Sequence, residues 1–161
     1  MFTYAGPLEE GRYEGQLDFE GVGAVELDGL GAPGVSAQTF LRLSGNLDSG
    51  AQLGVNQIGG FQRLSGFERD AFAGSVAGVA GARVIADAPF VEELTGFSSF
   101  YGVSGEYGGA FAGWDDVDLT NGYLAASMFA GIRTRLGPLY IGGGAAEGGN
   151  RALYLGYGQR F

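Results

Sequence analysis

The side chains able to do chemistry in this sequence are carboxylates, guanidinium groups and hydroxyls. Cysteine and histidine are both absent from the 161 residues. That removes disulfides, thiolate and imidazole metal ligands, and an imidazole general base. The run Asp116-Val117-Asp118-Leu119-Thr120-Asn121-Gly122 has the composition of a calcium loop. Its Asp118-to-Gly122 spacing is one residue too long, however, and no distal Glu lies at the required offset, so it reads as a solvated loop. Gly142 to Gly149 is glycine-rich but opens no helix, and is not read as a phosphate cradle. The pairs Glu9-Glu10 and Glu92-Glu93 sit in turn-like stretches with no apolar neighbourhood to perturb a carboxylate, and read as surface charge. The densest candidate is residues 59–70, Gly-Gly-Phe-Gln-Arg-Leu-Ser-Gly-Phe-Glu-Arg-Asp, where a glycine-rich apolar approach leads to a charged tip. It lies within a longer aperiodic stretch, 49–70, and a structureless loop of that length is unusual unless it is functional.

Charge and composition narrow the class of protein. The 9 basic residues, all Arg, face 18 acidic ones for a net charge of −9. No electrostatic footprint for nucleic acid is present, and an acidic surface or acidic lumen remains. Length favours one domain, residues 1–161. Glycine supplies 33 residues, well above the usual share of about 7%. Many glycines fall inside strand-like runs, where they weaken an ordinary soluble sheet but suit strands that curve into a barrel.

The elements that position these groups are strands. Residues 11–20 alternate, with Tyr13, Gly15, Leu17 and Phe19 on one face and Glu14, Gln16, Asp18 and Glu20 on the other. The alternation continues through Val25 and Leu27, as one long strand or as a hairpin about Gly21 to Gly23. A turn at Ala32-Pro33-Gly34 precedes a strand with Thr39, Leu41, Leu43 and Leu47 out and Gln38, Arg42, Ser44 and Asn46 in. After the 49–70 break, strands are expected at 71–86, 96–112, 122–136, 138–147 and 151–161. Their connections are Pro89 to Thr95, Trp114 to Asn121, Gly137-Pro138 and Gly148-Gly149-Asn150, two long and two tight, as expected of long extracellular loops and short periplasmic turns. Several runs reach the nine to eleven or so residues of a tilted transmembrane strand. The last carries Leu153, Leu155, Tyr157 and Phe161 on one face, with Tyr154, Gly156, Gly158 and Arg160 on the other, in the manner of a terminal outer-membrane strand. Aromatics toward strand ends, among them Phe97, Tyr101, Tyr107, Phe111, Trp114, Tyr123, Tyr140 and Tyr157, suit interfacial girdles. No run approaches the roughly 20 apolar residues of a transmembrane helix, so a membrane form is a barrel. The opening Met1 to Glu10 lacks the basic and apolar regions of a signal peptide, so the chain is expected to be part of a longer precursor, a processed piece or a shortened form.

The 59–70 run resembles the sixth-loop motif of barrels in the bacterial surface antigen superfamily, which covers outer-membrane assembly and two-partner secretion proteins. The nearer resemblance is to the C-terminal barrel of patatin-like phospholipases of the type V autotransporter kind, which read Gly-Gly-Phe-x-x-Leu-Ser-Gly-Tyr or Phe. Arg135-Leu136-Gly137-Pro138-Leu139-Tyr140-Ile141-Gly142-Gly143-Gly144 and Ala152-Leu153-Tyr154-Leu155-Gly156 are similar to their endings. The resemblance covers residues 11–161 and implies an all-β, transmembrane antiparallel β-barrel. About seven or eight strands are expected here, matching the C-terminal half of a barrel of about sixteen. It implies a loop 49–70 folded into the lumen, with the motif residues Arg63, Leu64, Ser65, Gly66, Phe67 and Arg69 in play and Glu106 similar to the family's acidic acceptor. Assembly and secretion barrels carry an Arg before the motif's Gly. Here that position is Ser65, and Arg63 or Arg69 is left as a substitute partner for Glu106.

The expected function is membrane anchor or translocator for a larger surface or secreted protein in the outer membrane of a Gram-negative bacterium. The expected partners are membrane lipid and the outer-membrane barrel assembly machinery, with a homodimer as one way of completing a larger barrel, and with no cofactor, metal or nucleic acid. An assembly or two-partner secretion barrel fragment and a soluble β-barrel binding domain stand as alternatives. No Gly-x-Ser-x-Gly nucleophile turn occurs in the sequence, so phospholipase chemistry, if the parent protein has it, lies outside these residues. The purified chain is therefore expected to show no lipase or esterase turnover; reproducible turnover that disappears on mutation of one of its serines refutes this.

Overall fold

A computed structural model describes residues 2–8, 12–47 and 55–158. Ten strands form in chain order: β1 (Phe2–Leu8), β2 (Arg12–Glu26), β3 (Val35–Asn46), β4 (Asn56–Ile58), β5 (Phe72–Gly74), β6 (Val76–Asp87), β7 (Ser99–Phe111), β8 (Tyr123–Thr134), β9 (Gly137–Ala146) and β10 (Arg151–Tyr157). The fold is all-β and antiparallel. Eight strands make one sheet in the order β1-β2-β3-β6-β7-β8-β9-β10, and β4 pairs only with β5. Each wall strand thus pairs with its neighbour in sequence, and the β4–β5 hairpin is an insertion between β3 and β6. The sheet is open: β1 and β10 are its edges and do not pair with each other among the described residues.

Residues 12–26 form one strand, paired with β3 without interruption from Gln16↔Asn46 to Glu26↔Ser36. The expected strand at 71–86 divides at Ser75: residues 72–74 belong to the inserted hairpin and 76–87 to the wall. The connection 89–95 is a short helix, α1 (Pro89–Thr95), rather than a loop. Pro89 opens it with φ already fixed, and Gly96 closes it at φ +73°, its N–H returning to the Glu92 carbonyl at 2.8 Å. Seven residues are too few for a 3.6-residue period to show in sequence. Long and tight connections do not segregate to opposite ends as expected. Successive turns of a meander alternate ends, so α1 shares one end with the tight turn before β9, and the 114–121 loop shares the other with the turn before β10.

One face of the wall is covered by residues 55–75; between the two, Phe40, Ala77, Val79 and Ala125 of the wall cluster with Ile58 and Leu64 of the cover, and Ile85, Phe100, Phe129 and Tyr140 form a second buried cluster. The covering segment reaches β3 through the Asn56–Asn46 side-chain bond and β10 through Gly66 and Phe67 to Tyr154. In a flat sheet those two strands, five places apart, would stand about 24 Å from one another at ~4.8 Å per strand. A single short segment bridges them because the sheet curls around it.

Glycine makes the curl possible. Along the inner face, neighbouring strands alternate aromatic and glycine at the same level: Phe100↔Gly131↔Tyr140↔Gly156 in one row, and Gly102↔Phe129↔Gly142↔Tyr154 in the next. The Phe100, Phe129 and Tyr140 rings lie across Gly131, Gly102 and Gly156 beside them. A Cβ on Gly102 would sit 2.6 Å from Phe129 Cζ, and one on Gly131 would sit 2.7 Å from Phe100 Cζ and 2.5 Å from the Leu139 carbonyl oxygen. Tyr140, expected at an interface girdle, is instead an inner-face residue in this ladder, stacked on Phe61 at 4.8 Å between centroids. We predict that Gly131→Val destabilises the fold by about 1–3 kcal/mol through overpacking, whereas Gly105→Ala, whose added Cβ meets nothing within 4 Å, stays within about 0.5 kcal/mol of the parent; equal urea midpoints for the two variants would contradict the ladder.

Candidate functional site

The inner face converges on Glu106, at mid-length of β7 and 2% exposed. Its neighbours at the same level are the small residues Gly81 on β6 and Ala125 on β8. The loop between β4 and β5 lies against the carboxylate. Glu106 Oε2 accepts from the backbone N–H groups of Leu64 and Ser65, both at 2.8 Å. Oε1 accepts from the Ser65 hydroxyl at 2.7 Å and the Ser104 hydroxyl at 2.6 Å. A carboxylate offers only acceptors, and here four donors face its two oxygens. Because the Ser104 hydroxyl donates to Glu106, the Ser127 hydroxyl 2.7 Å away donates to Ser104, giving a polar chain across β8, β7 and the loop.

The loop backbone is bent to make these contacts. Leu64 and Gln62 hold φ at +76° and +55°, values uncommon outside glycine, and both are buried. Ser65 steadies the turn by accepting from the Gln62 N–H at 2.8 Å. Gly66 follows at φ +104°, pressed so closely on β9 that a Cβ would sit 2.6 Å from the Ala145 carbonyl carbon and the Ala146 nitrogen. Its N–H donates to the Tyr154 hydroxyl, which in turn donates to the Phe67 carbonyl, each at 2.8 Å. Phe67 packs edge-on against Phe72 and Tyr123. Phe61 lies in the aromatic ladder, edge-on to Phe129 at 5.4 Å between centroids.

The structure therefore joins Leu64, Ser65, Gly66 and Phe67 to the wall, with Glu106 as acceptor, but it does not bring either expected arginine to Glu106. Arg63 donates to the Gln57 carbonyl at 3.0 Å, and Arg69 lies exposed beside Asp70 at 3.6 Å. The physical reason is that the carboxylate is already satisfied: two peptide N–H groups and the Ser65 hydroxyl from the loop, with the Ser104 hydroxyl from β7, supply two donors to each of its oxygens. The position occupied by Ser65 supplies the contact itself. Sequence reasoning missed Ser104 and Ser127. Ser104 stands two residues before Glu106 on the same strand face, so the two-residue period was the available signal.

The remaining candidates are placed apart from this centre. Leu153, Leu155 and Tyr157 are exposed on the opposite, outer face, at 88%, 79% and 54%; Phe161 and residues 49–54 of the expected loop lie outside the described residues. In the 114–121 loop, Asp118 accepts from the Thr120 hydroxyl at 2.7 Å, the Thr120 N–H at 2.8 Å and the Asn121 amide at 2.8 Å. The Thr120 hydroxyl and N–H hold its carboxyl below the ordinary range. The carboxylate thus closes its own loop. Glu92 and Glu93 are exposed on α1.

Comparison of the chain with protein-family models, with curated proteins and with solved structures gives no match.

Replacing Glu106 by Leu leaves its donors buried without an acceptor, at about 1–3 kcal/mol for each group left unsatisfied, and is expected to free the loop to proteolysis between residues 60 and 70. Glu106→Gln retains one oxygen for the two peptide N–H groups and is expected to be protected far better. Because neither arginine touches Glu106, Arg63→Glu is not expected to rescue Glu106→Arg; restored protection in that double variant would show that the arginine is the true partner.

Proposed function

We propose that the chain is wall and inner loop of a bacterial outer-membrane β-barrel, acting as the membrane anchor or translocator portion of a larger surface or secreted protein of the patatin-like phospholipase type. The observation that carries this reading is the polarity of the two faces. Outward positions of the strands from β2 to β9 include Phe19, Val25, Leu41, Val84, Val103, Leu124, Met128 and Ile141, all exposed. No Asp, Glu or Arg occupies an outward position on the described part of those strands. Ionisable and amide groups instead lie inward, where Glu106, Arg83, Gln62, Asn46 and Asn56 are buried. A soluble sandwich has the reverse arrangement, and a continuous apolar surface of this extent on a water-soluble monomer would be an association site. In lipid it is the required exterior.

Strand length supports the same reading. β2, β3, β6, β7 and β8 run for 15, 12, 12, 13 and 12 residues. About nine to eleven tilted residues cross a bilayer, whereas strands of soluble proteins cluster near five or six. Exposed Tyr101 and Tyr157 lie toward one end of the wall, where amphipathic rings suit an interface. Unpaired edges at β1 and β10 are costly in hydrocarbon. In the proposed membrane form they are closed by further strands of a larger barrel or by a second copy of the chain.

The test sets the two faces against each other. In reversible folding into lipid vesicles, Leu155→Arg is expected to cost about 2–4 kcal/mol, and Ala24→Arg, on an inward and exposed position, about 0.5 kcal/mol or less. If Leu155→Arg instead folds in aqueous buffer as well as the parent, and the parent partitions into the aqueous phase of a detergent separation, the chain is a soluble β-domain and the proposal fails.

A further inference from the structure

Arg151 breaks a rule that the rest of the outer face obeys. The strands from β2 to β9 place no Asp, Glu or Arg at an outward position among the described residues, and β10 carries Arg151, Leu153, Leu155 and Tyr157 outward. Arg151 is therefore the one outward charge on the described part of the wall from β2 to β10. It is exposed and forms no ion pair with a described residue. The acid closest to it in sequence, Glu147, is turned instead to the Leu124 N–H at 3.0 Å. A guanidinium on a lipid-facing surface is costly unless it lies at an interface and meets a counter-charge.

The surface beside Arg151 is shaped as well as apolar. A groove of about 840 Å³ lies over the outer face of β7 to β10, with Arg151 at its β10 end. The row level with Arg151 holds only small residues, Gly105↔Ala126↔Ala145↔Arg151. The next row, Val103↔Met128↔Gly143↔Leu153, raises a bank of exposed Val103, Met128 and Leu153 along it. Arg151 opens β10 directly after the 147–150 turn, at the rim, whereas Gly105 stands at mid-length of β7. The small-residue row thus descends obliquely from rim to mid-wall. Its three strand spacings at ~4.8 Å make it about 14 Å long, against about 15 Å for one leaflet of a hydrocarbon core about 30 Å thick.

We propose that this groove binds one anionic membrane lipid, with an acyl chain lying along the small-residue row and the lipid phosphate paired with Arg151. The charge and the shape point to the same occupant: a guanidinium at the rim suits a phosphate, and an apolar groove leading inward from it suits a chain attached to that phosphate. This inference rests on the membrane reading of the outer face. It adds a fixed site and a head-group charge to what would otherwise be a uniform lipid contact.

The experiment is native mass spectrometry of the folded full chain released from detergent micelles, with dioleoylphosphatidylglycerol, dioleoylphosphatidylcholine or glycerol phosphate added. The parent is expected to retain one phosphatidylglycerol molecule with saturation, about fivefold more tightly than phosphatidylcholine, which is the factor given by ~1 kcal/mol per basic residue at a membrane surface. Glycerol phosphate, a head group without chains, is not expected to compete. Arg151→Gln is expected to abolish the preference. Ala126→Phe, which fills the groove from an exposed position, is expected to remove the saturable adduct. Arg135→Gln takes away the same charge at the opposite rim and is expected to change neither. Equal retention of the two lipids, competition by glycerol phosphate, or a preference that survives Arg151→Gln overturns the inference and leaves the membrane reading in place. Failure of the parent to float with phosphatidylcholine vesicles overturns both.

Discussion

A buried carboxylate with no arginine beside it organises this molecule. Taking Glu106 out of water is tolerable only while donors surround it, and no single element of the wall can provide them all. Ser104 comes from its own strand, but the Leu64 and Ser65 N–H groups and the Ser65 hydroxyl come from the inserted loop. The left-handed backbone at Leu64 and the unusual proximity of Gly66 to β9 follow from that requirement. The curl of the sheet follows as well, since the same loop must meet Glu106 at the centre and Tyr154 at the far strand. Satisfying one charge thus fixes the loop conformation, the wall curvature and the residues small enough to stand beside it.

The two faces of the wall obey different rules. Outside, the strands carry mainly Leu, Val, Ile, Met, Phe and Tyr alternating with Gly and Ala, and close contacts gather near the 114–121 loop, where Trp114 lies over Gly45 and Tyr107 holds Gly122. Inside, composition is strict: an aromatic ring at one position requires glycine at the next strand, because directly opposed Cβ positions in an antiparallel pair stand only about 4.5–5.5 Å apart. The high glycine content is therefore not looseness. Gly81, Gly102, Gly131 and Gly156 make room for inward-facing aromatic rings, and Gly144 and Gly66 bring strand and loop backbones together.

Much of this was legible from residue order. Period-two alternation located the wall strands and told inward Asn46, Arg42 and Tyr154 from outward Leu41, Leu153 and Leu155. Residues 59–70 stood out because the alternation stopped there, and Glu106 because its surroundings are similar to the acidic acceptor of the barrels the motif resembles. What could not be read was pairing at a distance. Whether Arg63, Arg69 or Ser65 meets Glu106 depends on the left-handed turn at Gln62 and Leu64, which aims the Leu64 and Ser65 N–H groups at the carboxylate. Tyr140 looked like an interface residue because it sits near a strand start; its partners Gly131 and Gly156 are neighbours only across the sheet. The helix at Pro89–Thr95 carried its proline and glycine signals in plain view but was too short to display a period.

The connectivity also imposes an order of assembly. Every wall pairing joins consecutive wall strands, and all but one close through a local connection, tight or long; the exception, β3 with β6, is bridged by the inserted segment. The loop contacts, by contrast, join residues 41, 42, 87 and 88 positions apart. Local pairs close quickly and distant ones pay loop-closure entropy first. Seating of the loop on Tyr154 is thus a late event on the folding path, possible only after the seventh and tenth strands have arrived, and it distinguishes a completed wall from a partly built one.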